Sequence, residues 1–277
     1  MVERHVRRGK SILLLGPRQT GKTTLLRALR PDLTIELVEP RERRRFERDP
    51  STLRDEALAL GRRRPLIVID EVQKVPALMD VAQRLIDRDE AQLVLTGSSA
   101  RKLKRHHDVN LLPGGVVSLR LDPLTLEESM PSSLGEALTD GALPGIRSQR
   151  SAADREQDLR SYAETYLEEE VRQEALVKQM APFARFLELA ALESGRIANF
   201  SRVAADVGVS PHTIQSYCEI LVDCLVAERV DPISRSATRK KLTKSSRFLL
   251  FDLGVRRLSA GEELGSGPSG SVSCSSR

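Results

Sequence analysis

The stretch Ser11–Leu29, SILLLGPRQTGKTTLLRAL, constrains this chain more than any other. The apolar run Ile12–Leu15 reads as a buried strand. Gly16-Pro17-Arg18-Gln19-Thr20-Gly21-Lys22-Thr23 then fits G-x-x-x-x-G-K-[ST], and Thr24-Leu25-Leu26-Arg27-Ala28-Leu29 opens a helix. A chance Gly-rich turn would lack the strand before it and the helix after it. Glycines let the backbone curl so that successive N–H groups face phosphate oxygens, and the helix start adds partial positive charge. Gly16 to Thr24 are therefore the expected nucleotide-binding segment. Lys22 is expected to reach the outer phosphates, and the Thr23 hydroxyl to ligate Mg²⁺.

The second signal is Pro65-Leu66-Ile67-Val68-Ile69-Asp70-Glu71, an aliphatic strand ending in two acids. Following a phosphate loop, the first acid is expected to hold Mg²⁺, usually through water. The second can take a proton from an attacking water. Asp70 is thus the expected metal acid, and Glu71, with Lys22, the expected catalytic pair. Gln92–Ser99 reads as another buried strand with a polar tip, where Thr96 or Ser98 could sense the terminal phosphate. The plainer alternative for Ser98 is a cap on a helix at Ala100–Arg105. Leu33–Val38 and Val116–Leu121 complete the expected strands, and Gln73–Asp87 reads as a helix with Leu78, Val81, Leu85 and Ile86 on its apolar face. This pattern predicts an α/β fold, a P-loop parallel sheet flanked by helices.

The remainder changes character. Asp154–Val177 reads as one long helix with Leu159, Tyr162, Tyr166, Leu167 and Val171 on a stripe. Three shorter helices follow, the last two joined at Gly208-Val209. Ser210-Pro211 supplies a cap and a first-turn proline to the third. Ala204, Gly208 and Ile214 have helix-turn-helix spacing. Strands at Leu225–Val230 and Phe248–Phe251 would flank a loop carrying Arg235, Arg239, Lys240, Lys241 and Lys244. That outline predicts an α-helical, winged-helix region with a basic wing. His212 and Gln215 would face DNA bases, and Arg239, Lys240, Lys241 and Lys244 would face phosphates. Glu219 and Asp223 would oppose such contact, and winged helices also serve as lids or protein-docking modules.

Bulk properties set limits. Lys and Arg exceed Asp and Glu by 44 to 39, an excess mild enough to allow a nucleic-acid partner without requiring one. The arginine clusters at 41–45 and 62–64 read mainly as solvated faces. Three cysteines without metal spacing fit reduced thiols in the cytoplasm. No apolar run is long enough for a membrane span, and the basic N-terminus lacks the apolar core of a signal peptide.

GPRQTGKT, LIVIDEVQKVP, LVLTGSSARKLKR, LDPLTLEE, GALPGI, LRSYAETYLEEEV and FDLGV together resemble a family of prokaryotic AAA-type ATPases with a C-terminal domain of unknown function. The resemblance runs from about Gly9 to Gly254. It implies ATP hydrolysis with Mg²⁺, with Lys22, Thr23, Asp70 and Glu71 in the roles above. Two departures stand out. Gly115 occupies the place of an arginine that would stabilise transition-state charge. Members of that family also continue into a portion similar to restriction endonucleases, whereas Gly261–Ser273 here is Gly/Ser-rich and reads as a disordered tail. No nuclease chemistry is expected of this chain.

The expected domains are therefore an ATPase at 1–125, a helical linker or lid at 126–180, a winged-helix-like domain at 181–255 and a tail at 256–277. The first functional expectation is an ATP-hydrolysing enzyme. The second is a nucleotide-gated switch that binds DNA or a protein with little or no hydrolysis, and the third a remnant whose loop binds nothing.

Overall fold

The computed structural model describes residues 1–99, 116–166, 180–232 and 246–262. These form two compact units. One comprises Met1–Pro123 with Leu221–Val226, the other Leu124–Ile220 with Ala227 onward.

The first unit is built on five parallel strands: β1 (Ser11–Leu15), β2 (Leu33–Glu36), β3 (Leu66–Asp70), β4 (Gln92–Gly97) and β5 (Val116–Arg120). Their order is β2-β3-β4-β1-β5, so β4 lies between the strand before the phosphate loop and the strand ending in the two acids. Leu14 of β1 aligns with Thr96 of β4, and Ile69 of β3 with Leu95. A parallel sheet is covered on both faces, which is why β1 is buried at every position and carries no polar alternation.

Alternate side chains nevertheless go to different cores. Leu13, Leu15, Ile67, Ile69, Leu93 and Leu95 pack with Phe46, Leu53, Leu78 and Leu85. These four come from α3 (Pro40–Arg48), α4 (Thr52–Ala59) and α5 (Leu78–Asp87). Ile12, Leu14, Val68 and Val94 pack on the other face with Val2 of α1 (Val2–Arg7) and Leu26 of α2 (Lys22–Ala28). A slip of one residue in any strand would exchange these sets, so burial on both faces sets the register. The helix expected from Gln73 starts only at Leu78. Glu71 has left-handed backbone, Val72–Lys74 forms a tight 3₁₀ turn, and Pro76 precedes the helix.

The second unit contains helices at Leu134–Asp140, Pro144–Arg147, Ala152–Ser161, Met180–Leu192, Phe200–Val207 and Leu253–Ser259, and the helix Pro211–Asp223 as far as Ile220. The antiparallel pair β6 (Ala227–Val230) and β7 (Arg247–Leu250) completes it. The helix expected to begin at Asp154 starts two residues earlier, under the Ser151 cap. It gives way to a wider π-type turn at Tyr162–Tyr166. The segment 167–179 that would continue it lies outside the described residues.

Phe183, Phe186 and Tyr217 form an aromatic cluster, with ring centroids 5.1 to 5.7 Å apart, that ties Met180–Leu192 to Pro211–Asp223. Ala204 and Ile214 are buried, and Gly208 closes Phe200–Val207 in the left-handed conformation with φ 82°. Ser210 Oγ accepts from the Thr213 N–H, capping the next helix. Among the described residues, no helix is long and apolar enough to cross a membrane.

Candidate nucleotide site

β1 delivers the chain into Gly16 at the C-terminal edge of the sheet, where ligands of open α/β sheets gather. The Gly16 N–H donates to Gly97 O at 3.2 Å, tying the start of the loop to the tip of β4. A Cβ on Gly16 would lie 2.3 Å from the backbone oxygen of Leu121, so no larger residue fits. Thr20 Oγ1 donates to Pro17 O at 2.9 Å. Gln19 and Gly21 both have positive φ, 62° and 89°. The left-handed turns curl the segment before α2 begins. Lys22 is buried, and its Nζ donates to Gly16 O and Pro17 O, both at 2.8 Å. Its ammonium is thus folded over the loop it follows. Gly16 and Pro17 are buried, Arg18 is half-buried, and Gln19, Thr23 and Thr24 are exposed.

The acids come from β3, two strands away, yet they reach the same place. Asp70 Oδ2 accepts from Thr23 Oγ1 at 3.0 Å, and Asp70 Oδ1 accepts from Thr96 Oγ1. The same Thr96 oxygen accepts from the Glu71 N–H at 3.1 Å. One hydroxyl thereby fixes the ends of β3 and β4 together. Glu71 leaves β3 with φ 59° and ψ 47°, a conformation uncommon for a residue with a side chain. Its carboxylate is buried and accepts through Oε2 from Ser98 Oγ at 3.0 Å and from Gln73 Nε2. Ser98 and Thr96 therefore both face the acids.

The structure thus brings Lys22, Thr23, Asp70, Glu71, Thr96 and Ser98 to one edge of one sheet. Gln73 belongs to the same cluster, although the sequence reading assigned it no role. Its only sequence signal is its place in the IDEVQ segment.

The hydroxyl of Thr23 and the carboxylate of Asp70 are hard oxygen donors, the type Mg²⁺ takes together with water. Among the described residues, no group of three or more His, Cys, Asp or Glu could cage a metal. A Mg²⁺ ion here would rely on Thr23, Asp70, water and phosphate oxygens, as is usual for that ion.

The residues expected to contact DNA divide in two. His212 and Gln215 are exposed on the helix Pro211–Asp223, with Gln215 Nε2 3.3 Å from Glu219 Oε1. Arg239, Lys240, Lys241 and Lys244 lie outside the described residues, as do Gly115 and the segment 263–277. Cys218 and Cys224 are buried, and neither forms a disulfide among the described residues. Burial, with the Glu219 charge nearby, pushes the Cys218 thiol up to about 12, so it is inert near neutrality.

Comparison with known proteins divides the chain in the same sense. Residues 8–130 match the AAA domain, and residues 132–263 match a domain of unknown function (DUF8612). Uncharacterized proteins of Mycobacterium tuberculosis and Mycobacterium bovis are each 28% identical over 259 residues. The match covers 92% of this chain and 57% of each relative, so the chain spans little more than half their length. Among solved structures, the Pif1 helicase from Candida albicans aligns over 58% of this chain and 46% of its own, at 15% identity and a TM-score of 0.31.

Proposed function

We propose that the N-terminal unit binds ATP with Mg²⁺ and hydrolyses it. The observation that supports this most is the engagement of both Asp70 oxygens, one by Thr23 beside the phosphate loop and one by Thr96, with Glu71 next in the chain. In this reading the Lys22 ammonium turns from the Gly16 and Pro17 carbonyls to the β- and γ-phosphates. Thr23 and Asp70 hold Mg²⁺, which neutralises phosphate charge when bound. Glu71 accepts a proton from the attacking water as its oxygen bonds to the γ-phosphorus. The bond to the bridging oxygen breaks, and ADP and phosphate leave. Thr96 holds Asp70, and Ser98 faces the same space.

The test is Mg-ATP binding and steady-state hydrolysis by the wild type, Lys22→Ala and Glu71→Gln. Loss of a charge-assisted contact should weaken binding by Lys22→Ala about 10-fold or more. Glu71→Gln should bind normally and turn over about 100-fold more slowly. Equal affinity in wild type and Lys22→Ala would overturn the assignment of the loop.

One observation favours a second reading, a nucleotide-gated binding switch: Gly115 stands where related ATPases are expected to carry arginine. In that reading the three helices and the β6–β7 pair act as a winged helix on DNA or a protein. Exposed His212 and Gln215 would meet bases, and Arg239, Lys240, Lys241 and Lys244 phosphates. Tight ATP binding with negligible turnover would favour it. Salt-steep DNA binding weakened by replacing Lys240 and Lys241 with Ala would make DNA the partner.

A further inference from the structure

We infer that Gln73 is a positioning residue for the general base: with Ser98, it holds the Glu71 carboxylate by one oxygen, Oε2, and leaves Oε1 to receive the proton. This rests on the hydrolytic reading of the site. The motivating feature is a closed ring of three hydrogen bonds. Gln73 Nε2 donates one hydrogen to Glu71 Oε2 and the other to Ser98 Oγ at 3.1 Å, and Ser98 Oγ donates to the same Glu71 Oε2 at 3.0 Å. Within this ring each donor hydrogen has its own acceptor, and both described bonds to the Glu71 side chain end on the same oxygen.

Chemistry fixes the orientation of the Gln73 amide. The flipped arrangement would set Oε1 against the Glu71 carboxylate, acceptor against acceptor. In the orientation present, Oε1 is buried and finds no hydrogen-bond partner among the described residues. A buried orphan carbonyl is unfavourable and calls for an explanation. A residue selected only for packing or stability would not keep it, because an apolar side chain of similar length would fill the space without it. The backbone accommodates this amide specifically: a Cβ on Gly97 would lie 2.7 Å from Gln73 Oε1. Gly97 of the TGSS segment and Gln73 of the DEVQ segment are thus one steric unit.

The position of Glu71 also needs such a hold. Its left-handed backbone aims the side chain away from the course of β3, and its backbone N–H is anchored on Thr96. Among the described residues, the Oε2 bonds are then what determines where the carboxylate points. A base displaced by about 1 Å can lose on the order of 100-fold in rate.

Gln73→Met keeps length and removes both the donors and the orphan carbonyl. It should lower kcat for Mg-ATP on the order of 10- to 100-fold, with ATP affinity within about 2-fold of wild type. Its melting temperature should be equal to or above that of wild type. In a Glu71→Gln background the same change should cost almost nothing further, because Gln73 acts through Glu71. Ser98→Ala, which removes the other donor, should show a smaller loss with the same non-additivity and serves if Gln73→Met folds poorly. Wild-type turnover in both variants, or a loss that adds in full to that of Glu71→Gln, would overturn this role alone. A wild type that binds Mg-ATP without turning it over would overturn the hydrolytic reading and this role with it.

Discussion

Thr23 and Asp70 meet across 47 residues of sequence, with Thr23 Oγ1 donating to Asp70 Oδ2 at 3.0 Å. Each is a natural ligand for Mg²⁺, and each at present satisfies the other. Asp70→Asn keeps the shape but loses the charge. It should weaken ATP binding in Mg²⁺ while changing little in EDTA, because only the metal-linked part of the affinity depends on Asp70. Titration of a fluorescent ATP analogue with and without Mg²⁺ checks this. An equal change under both conditions would remove Asp70 from the metal site.

A second prediction concerns the floor of the loop. Gly16 lies so close to β5 that a Cβ would meet Leu121 O at 2.3 Å, and that oxygen belongs to backbone. The neighbouring bond from Leu121 N–H to Leu15 O, at 2.8 Å, holds it there. Relief requires moving the loop or the segment after β5, so Gly16→Ala should cost about 1–3 kcal/mol of stability. Nucleotide affinity should fall with it. Chemical denaturation of the apo protein separates the two effects, and a stable variant that binds normally would contradict the steric argument.

The reach of the sequence at this site follows from locality. Gly16 to Thr23 are consecutive, so their motif is legible without knowledge of the fold, and Asp70 and Glu71 are marked by the aliphatic strand before them. Gln73 was not legible in this way. Its function depends on β4 lying beside β3, which brings Ser98 and Gly97 to it, and no spacing rule encodes that neighbour. The start of α5 departs from the apolar periodicity for a related reason. The apolar periodicity continues through Val72 and Val75, but Glu71 takes a left-handed backbone and Pro76 intervenes. In the second unit, the separated GALPG and FDLGV segments proved to be one structure.

That structure yields a third prediction. Buried Asp252 accepts from the Ala142 N–H through Oδ2 at 2.6 Å and from the Val255 N–H through Oδ1 at 3.0 Å. It thus caps Leu253–Ser259 while holding a loop 110 residues away in sequence. Burial pushes its carboxyl above the usual aspartate range, against the opposing pull of the backbone N–H groups of Ala142, Val255 and Gly254. Asn can present only one oxygen, so Asp252→Asn sets an NH₂ against one of these donors. The unpaired group should cost about 1–3 kcal/mol of stability. Urea denaturation checks it, and an unchanged midpoint would show that the loop repacks freely.

The last prediction is a pH dependence. Glu136 sits in the first turn of Leu134–Asp140, where Ser133 Oγ caps its N–H at 3.1 Å. Its carboxylate accepts from the Ser132 hydroxyl and, at 2.6 Å, from the Ser132 N–H, while Arg147 Nη1 lies 2.8 Å from its other oxygen. The Ser132 bonds first, and Arg147 after them, hold its carboxyl down to about 2. A carboxyl depressed on folding stabilises the native state above its unfolded value of 4.5, and that contribution is lost as pH falls from there through about 2. Glu136→Gln cannot ionise and should lack this part of the acid sensitivity. Wild type should therefore be the more stable protein at pH 6, with the gap holding to about pH 5 and narrowing as the pH is lowered from there towards 3. Urea midpoints for the two proteins across that range measure it. A gap independent of pH would mean that Glu136 contributes through its shape and neutral hydrogen bonds alone.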